Sequence, residues 1–345
     1  MTRRRVRRRM LSGLAAGTMG VTLGACGQTG GEGTDSAEDP AAFFDGETIT
    51  MVVPYNPGGG FDTFVRLLET HLEDEIEGVQ VNVKNSPGGG SLIGTNEIYQ
   101  AEPDGLTIGL INYPGSMFAE ATGTDGVSFD NSKWTFLARL GAINPIVFTG
   151  EDSGYESFQQ MIDSDEPITF GIGGRGSDAY YATVIMAEVL GFDAEIIAGY
   201  GGGEEADAAL LVGEVDASIN SADAALTRIE GTGAHINALI STQPNEQLPD
   251  VPLITEFGDA EQQEVLSALA SIYDLERLLV APPGMDEERA QVLADAVFAA
   301  ASSDGYVQEM EAAGLTPSPM ERAEVLSLVE DVNASIDLLK PIIEE

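Results

Sequence analysis

The pattern that most restricts the fold is an apolar run that enters Pro-Gly-Gly-Gly and leaves as a helix. It occurs in "MVVPYNPGGGFDTFVRLLE" (51–69) and again in "VNVKNSPGGGSLIG" (81–94). Glycine triplets lose much conformational entropy on folding, so placing two at successive junctions calls for close backbone approach. The flanking periodicity sets the rest. "ITMVVPY" reads as a buried strand, and Phe61, Phe64, Val65, Leu68, Leu72 and Ile76 form one helical stripe. "VQVNVKN" reads as a strand, Leu92 to Tyr99 as a short helix and "LTIGLIN" as a third strand. Such a βαβαβ run predicts a parallel sheet with both faces covered.

A second unit repeats the plan. "PIVFTG" and "ITFGIGG" read as strands, and "SDAYYATVIMAEVLG" as a helix ending at Gly191. "AEIIAGY" is a strand, "EADAALLVGE" a helix and "VDASIN" a further strand, with Gly-rich junctions in "GIGGRGS" and "GYGGGEE". The C-terminal third returns to helices. Asp286 is placed to cap one, and Ser318-Pro319-Met320-Glu321 reads as a capping box opening the last.

Charge excludes whole classes of partner. The 345 residues hold 16 Lys and Arg against 57 Asp and Glu, a net charge of −41. Six of the bases (Arg3, Arg4, Arg5, Arg7, Arg8, Arg9) crowd the N-terminus, so the remaining chain is more acidic still. Nucleic acid would be repelled. Acid spread along the chain with lysine nearly absent points to adaptation to high salt, where screening suppresses self-repulsion.

The first 26 residues read as an export signal. Arg7-Arg8-Arg9-Met10-Leu11 fits a twin-arginine pattern, and the mildly apolar segment after it is short for a membrane span. Leu23-Gly24-Ala25-Cys26 is similar to a lipobox, which makes Cys26, the sole cysteine, the expected lipidation site. Residues 27–46 read as a flexible acidic, Gly-rich tether. The expected location is the outer face of the cytoplasmic membrane, reached by export and held by the lipid anchor.

A strand feeding a Gly-rich turn and a helix presents backbone N–H groups and a helix dipole to an anion. Three readings of these loops stand: a nucleotide phosphate site, simple tight turns, or a cleft for carboxylates. "PGGGFDT" lacks the Gly-Lys-Ser/Thr ending of a P-loop. Four such loops in two similar units weigh against mere turns. Ligands of open parallel sheets sit beyond the strand C-terminal ends, where these loops cluster. Arg175 inside "GGRGS" can clamp a carboxylate or pair with a surface acid. Catalytic parts are scarce. His71 and His235 lie away from the Gly loops, and neither a G-x-S-x-G motif nor a zinc-type cluster occurs, so no catalytic residue, metal or cofactor is expected.

With these loops in place, the chain from about Glu47 onward resembles a known family. It is similar to the receptors of tripartite tricarboxylate transporters, the Bug-type extracytoplasmic solute-binding proteins. The resemblance rests on "ITMVVPYNPGGGFD", "VNVKNSPGGGSLIGTNEIYQAEPDGLTIGL", "ITFGIGGRGSDAYYA", "GYGGGEEADAALLVGEVDASI", "LPDVPLITEFG" and "LLVAPPGM" in that order. It implies an α/β, two-lobe, periplasmic-binding-protein-like (Venus flytrap) fold, each lobe a mainly parallel sheet flanked by helices. Lobe one would take 47–141 plus 249–345, and lobe two 142–248. It also implies a small di- or tricarboxylate bound between the lobes by a monomer that serves membrane permease subunits. A surface sensor or a cell-surface hydrolase on the same lobes are the rival functions.

Carried over residue by residue, the resemblance nominates Tyr55, Asn56, Pro57, Gly58, Gly59, Gly60, Phe61 and Asp62 in the first loop. It nominates Pro87, Gly88, Gly89, Gly90 and Ser91 in the second, and Gly174, Arg175, Gly176, Ser177, Tyr180, Tyr200, Asn220 and Asp223 from lobe two. The chain departs from the family pattern where Gly60 and Phe61 replace a hydroxyl residue, where Arg175 and Tyr180 replace Asn and His, and where Gly201 replaces Lys. A ligand with an apolar body beside its carboxylate suits those changes.

Overall fold

The computed structural model describes residues 40–245 and 247–343. The signal sequence and Cys26 lie outside them. Ten strands run β1 (Thr48–Val53), β2 (Gln80–Asn85), β3 (Thr107–Ile111), β4 (Thr135–Arg139), β5 (Pro145–Thr149), β6 (Ile168–Ile172), β7 (Ala194–Ala198), β8 (Ala217–Ser221), β9 (His235–Leu239) and β10 (Leu278–Ala281). Between the strands come helices α1 (Gly60–Glu75), α2 (Leu92–Tyr99), α3 (Tyr113–Ala121), α4 (Phe158–Ile162), α5 (Asp178–Leu190), α6 (Gly203–Leu211) and α7 (Ala222–Ile229). Four more follow: α8 (Ala260–Ile272), α9 (Glu287–Ser302), α10 (Asp304–Ala312) and α11 (Arg322–Ile343).

The strands form two five-stranded sheets, ordered β2-β1-β3-β10-β4 and β7-β6-β8-β5-β9. Each is mixed. β1 is parallel to β2 and β3, and β6 to β7 and β8, as the βαβ runs predict. The fourth strand in each order, β10 or β5, runs antiparallel to both its neighbours. Both sheets belong to one compact unit, Asp39–Glu345.

Period-two alternation splits the apolar residues into three cores. Ile49, Met51 and Val53 of β1, with Leu279 and Ala281 of β10, face outward under α1, α9 and α10. Val52, Ile111, Leu278 and Val280 face the other way, into a cluster that continues without a break to Phe170, Ile172 and Ile219 of the second sheet. Met117 and Phe118 of α3, Ile185 and Met186 of α5, Leu266 and Leu269 of α8, and Val325 and Val329 of α11 fill that shared core. A third core, around Ile146, Phe148 and Leu239, lies under α6 and α7. The sheets are thus joined behind the cleft by one body of packed helices.

Three local expectations change. Residues 40–44 of the segment read as tether form a 3-10 helix with Phe44 fully buried, and Arg289 stacks 3.6 Å above the Phe43 ring. The last helix opens at Arg322 rather than at a Ser318 cap. The Ser318 hydroxyl and carbonyl instead accept from Arg139 Nη2 (3.0 Å) and Nε (3.1 Å), a partner 179 residues away. Finally, α3, β4, α4, α7, β9 and β10 are elements that the periodicity did not reveal.

Candidate functional site

Six strand-to-helix junctions, three from each sheet, open onto one cavity of about 970 Å³. They are β1/α1, β2/α2, β3/α3, β6/α5, β7/α6 and β8/α7. Because each strand ends and each helix begins at the cleft, all six helix N-termini aim their positive ends at it. Helices α4, α8, α9 and α10, away from this cavity, carry side-chain caps from Ser157, Asp259, Asp286 and Ser303. On the cavity the pattern reverses. Of the six helices there, α3 and α5 are capped, by Asn112 and Ser177, whereas α1, α2, α6 and α7 receive no side-chain cap. In α2 the Leu92 and Ile93 amides turn back to the Gly89 and Gly88 carbonyls (3.5 and 3.3 Å), and in α7 the Ala222 amide donates to the Asn144 carbonyl (3.0 Å), so the first turns of α1 and α6 offer the freest donors to an anion.

Most of the nominated residues meet on this wall. Tyr55, Asn56, Gly59, Gly60 and Phe61 come from the first junction and Pro87 to Ser91 from the second. Gly174 to Ser177, Tyr180, Tyr200 and Asn220 come from the other sheet. Phe61 packs its ring 4.6 Å from that of Tyr55. Arg175 stands exposed at the rim, its guanidinium 5.7 Å from the Tyr180 ring centre. Pro57, Gly58, Asp62 and Asp223 are off the wall. Asp62 sits behind the first loop, accepting from the Gly58 amide (2.8 Å), Arg66 Nε (2.8 Å) and Asn85 Nδ2 (2.8 Å). Burial pushes its pKa up, but these hydrogen bonds outweigh it and hold the carboxyl below its ordinary value. It therefore braces the loop from behind.

The two sheets' loops touch across the cleft. Gly90 adopts φ +67°, and a Cβ there would lie 2.9 Å from the backbone of Gly176 and Ser177. A Cβ on Gly176 would lie 2.8 Å from the Gly89 carbonyl. Only glycine permits this backbone-on-backbone approach. At the lip, Asn56 Nδ2 donates to the Gly201 carbonyl (3.0 Å), and Asn112 Nδ2 donates to Tyr55 Oη (2.9 Å) and Asp178 Oδ1 (2.7 Å). The glycine triplets serve as contact surfaces between sheets as well as turns.

Sequence reasoning missed the charged floor. Asp178, Glu276 and Arg277 all line the cavity, together with Asn112. Asp178 opens helix α5 and stands half-buried on the cavity wall. Burial raises its pKa despite the Asn112 hydrogen bond. Glu276 is 0% exposed, and burial, then the Asp178 carboxylate, push its carboxyl well above the ordinary range. Arg277, at φ +54°, is buried with its guanidinium 3.7 Å from Asp223 and 4.3 Å from the Phe64 ring centre. Among the described residues, no group of three or more His, Cys, Asp or Glu is placed to hold a metal ion. Nor is any described helix long and apolar enough to cross a membrane.

Comparison with known proteins places this architecture. Protein BugT of Bordetella pertussis is 26% identical over 274 residues, covering 78% of this chain and 81% of that protein. MatC (Rpa3494) from Rhodopseudomonas palustris with bound malate superposes with a TM-score of 0.69 at 20% identity, over 86% of this chain and 99% of that one. R. palustris Rpa4515 with adipate gives a TM-score of 0.71 at 19% identity, over 86% and 97%. These likenesses give the fold, a periplasmic-binding-protein architecture. The family model TctC, "Tripartite tricarboxylate transporter family receptor", matches residues 65–345, and the chain accordingly belongs to that receptor family.

Proposed function

We propose that the cleft captures a small organic carboxylate and delivers it to the membrane permease subunits of a tripartite tricarboxylate-type transporter. The observation that carries this is the convergence of four helix N-termini without side-chain caps on one cavity, while α4, α8, α9 and α10 are capped. Backbone N–H groups hold an anion without adding positive side chains. Malate and adipate in two structural neighbours support the carboxylate class. Gly88 to Ser91 and Gly174 to Ser177 act as facing cradles, Arg175 guards the rim, and Phe61 shapes the ligand's apolar side. The chain acts as a monomeric binding protein, exported through its twin-arginine signal and held at the outer face of the membrane through lipidated Cys26.

A thermal-shift screen of organic acids in concentrated KCl tests the reading. A ligand at 100 times its Kd adds about 2.7 kcal/mol of stability. If no carboxylate moves the melting point, the receptor reading of this cleft is lost. Run as a KCl series without ligand, the same measurement reads salt adaptation as a rising melting temperature.

A further inference from the structure

The floor of the cavity is chemically at odds with a ligand that carries only negative charge. Four carboxyl groups line the cavity (Asp125, Asp178, Glu204 and Glu276), against two guanidinium groups, Arg175 and Arg277. Arg175 is at the rim, and Arg277 is turned toward Asp223. At the floor, Glu276 is fully buried, and neither Oε1 nor Oε2 has a hydrogen-bond partner. The Arg277 charge and amide offset only part of its burial. Arg277 supplies a counter-charge, but no side chain donates to this carboxyl, and a buried carboxyl without such donors loses hydration that is only partly replaced.

The surroundings of Glu276 are rich in acceptors. Asn112 commits one amide nitrogen to both Tyr55 Oη and Asp178 Oδ1. Tyr273 Oη donates away from the cavity group, to the Asp178 carbonyl (3.2 Å). Asp178 and Glu276 each push up the pKa of Tyr55 and of Tyr273, after burial itself, so the negative potential is felt across the whole floor. A second carboxylate placed here would meet like charge. An ammonium brings three donors and a positive charge, which is what two neighbouring carboxyl groups lack.

We propose that the ligand carries, beside its carboxylate, a protonated nitrogen held by Glu276 and Asp178. This rests on the reading of the cleft as a carboxylate site. The helix N-termini then take the anionic end and the floor the cationic end, so the ligand enters the field of a −41 chain as a dipole rather than as a dianion.

Calorimetric titration of matched pairs tests it: succinate against aspartate, adipate against 2-aminoadipate, and benzoate against 4-(aminomethyl)benzoate. In the wild-type protein the nitrogen-bearing member of at least one pair should bind about tenfold more tightly or better. Glu276→Gln should erase that advantage, so that the two members of the pair bind alike. Asp178→Asn, a second variant on another element, should reduce it. Plain acids that bind as well as their amino partners overturn the proposal and leave the carboxylate reading standing. So does an advantage that survives in both variants. If none of the six compounds binds, both readings fail together.

Discussion

Glu276 and Asp62 are both carboxylic acids near the same cleft, yet folding moves them in opposite directions. Burial raises Glu276 above its ordinary 4.5, so its contribution to stability is present below that value and is lost as pH rises through the folded pKa. Asp62 is held below its ordinary 3.8 by the Arg66, Asn85 and Gly58 hydrogen bonds. Its contribution is present above that value and disappears as pH falls through its folded pKa. Between about pH 5 and 8 the first effect operates, and burial raises Asp178, Asp207, Asp223 and Asp274 in the same direction, so the melting temperature of the ligand-free protein should fall across this range. Glu276→Gln should lessen the slope, leaving the share of the four aspartates. An identical slope in wild type and Glu276→Gln would show that Glu276 does not titrate in this range. Little of this was legible beforehand. "DLERLL" reads locally as a solvated charge pair, whereas tertiary burial, and then the carboxylate of Asp178 far back in the chain, make Glu276 unusual.

Among the elements, the loop from Pro87 to Ser91 is the most tightly specified. Gly90→Ala combines a left-handed backbone with a 2.9 Å collision against Gly176 and Ser177, and should cost about 1–3 kcal/mol and weaken ligand binding. Gly123→Ala is the control, since Gly123 has φ +61° and open space around it. Equal losses in the two variants would mean that the loops' contact adds nothing. These glycine loops were legible because a strand, a Gly run and an amphipathic stripe follow one another in the chain. Helix α3 was hidden because "NYPGSMFAEA" begins with Pro and Gly, which the first helical turn tolerates but which read as a loop. β4 was hidden for a different reason: "TFLAR" is short and ends in Arg139, whose charge is buried against carbonyls of Asp274 and Ser318. The Ser318 capping box failed because that same arginine claims the hydroxyl. Local rules served wherever the partners were local.

For the whole molecule, the decisive feature is the shared core of α3, α5, α8 and α11, which fastens the two sheets on the side away from the mouth. The strand-to-strand connection at 140–144 is tied to the approach to β10, where Leu140 donates its amide to the Arg277 carbonyl (3.1 Å). The reversed strands carry a consequence for assembly. Sheet two can close from one contiguous stretch, since β5 to β9 all fall between Pro145 and Leu239. Sheet one cannot, because β4 joins β3 only through β10 at Leu278–Ala281. Long-range pairing of this kind is slow. In pulsed hydrogen exchange during refolding, amides of β5 to β9 should therefore become protected before those of β4 and β10; simultaneous protection would contradict this. A chain exported in the folded state, as the twin-arginine pattern leads one to expect, shows its address first and receives its passport last. On that expectation the leader would clear the ribosome early, yet no folded cargo would exist until the strand at 278 had been made.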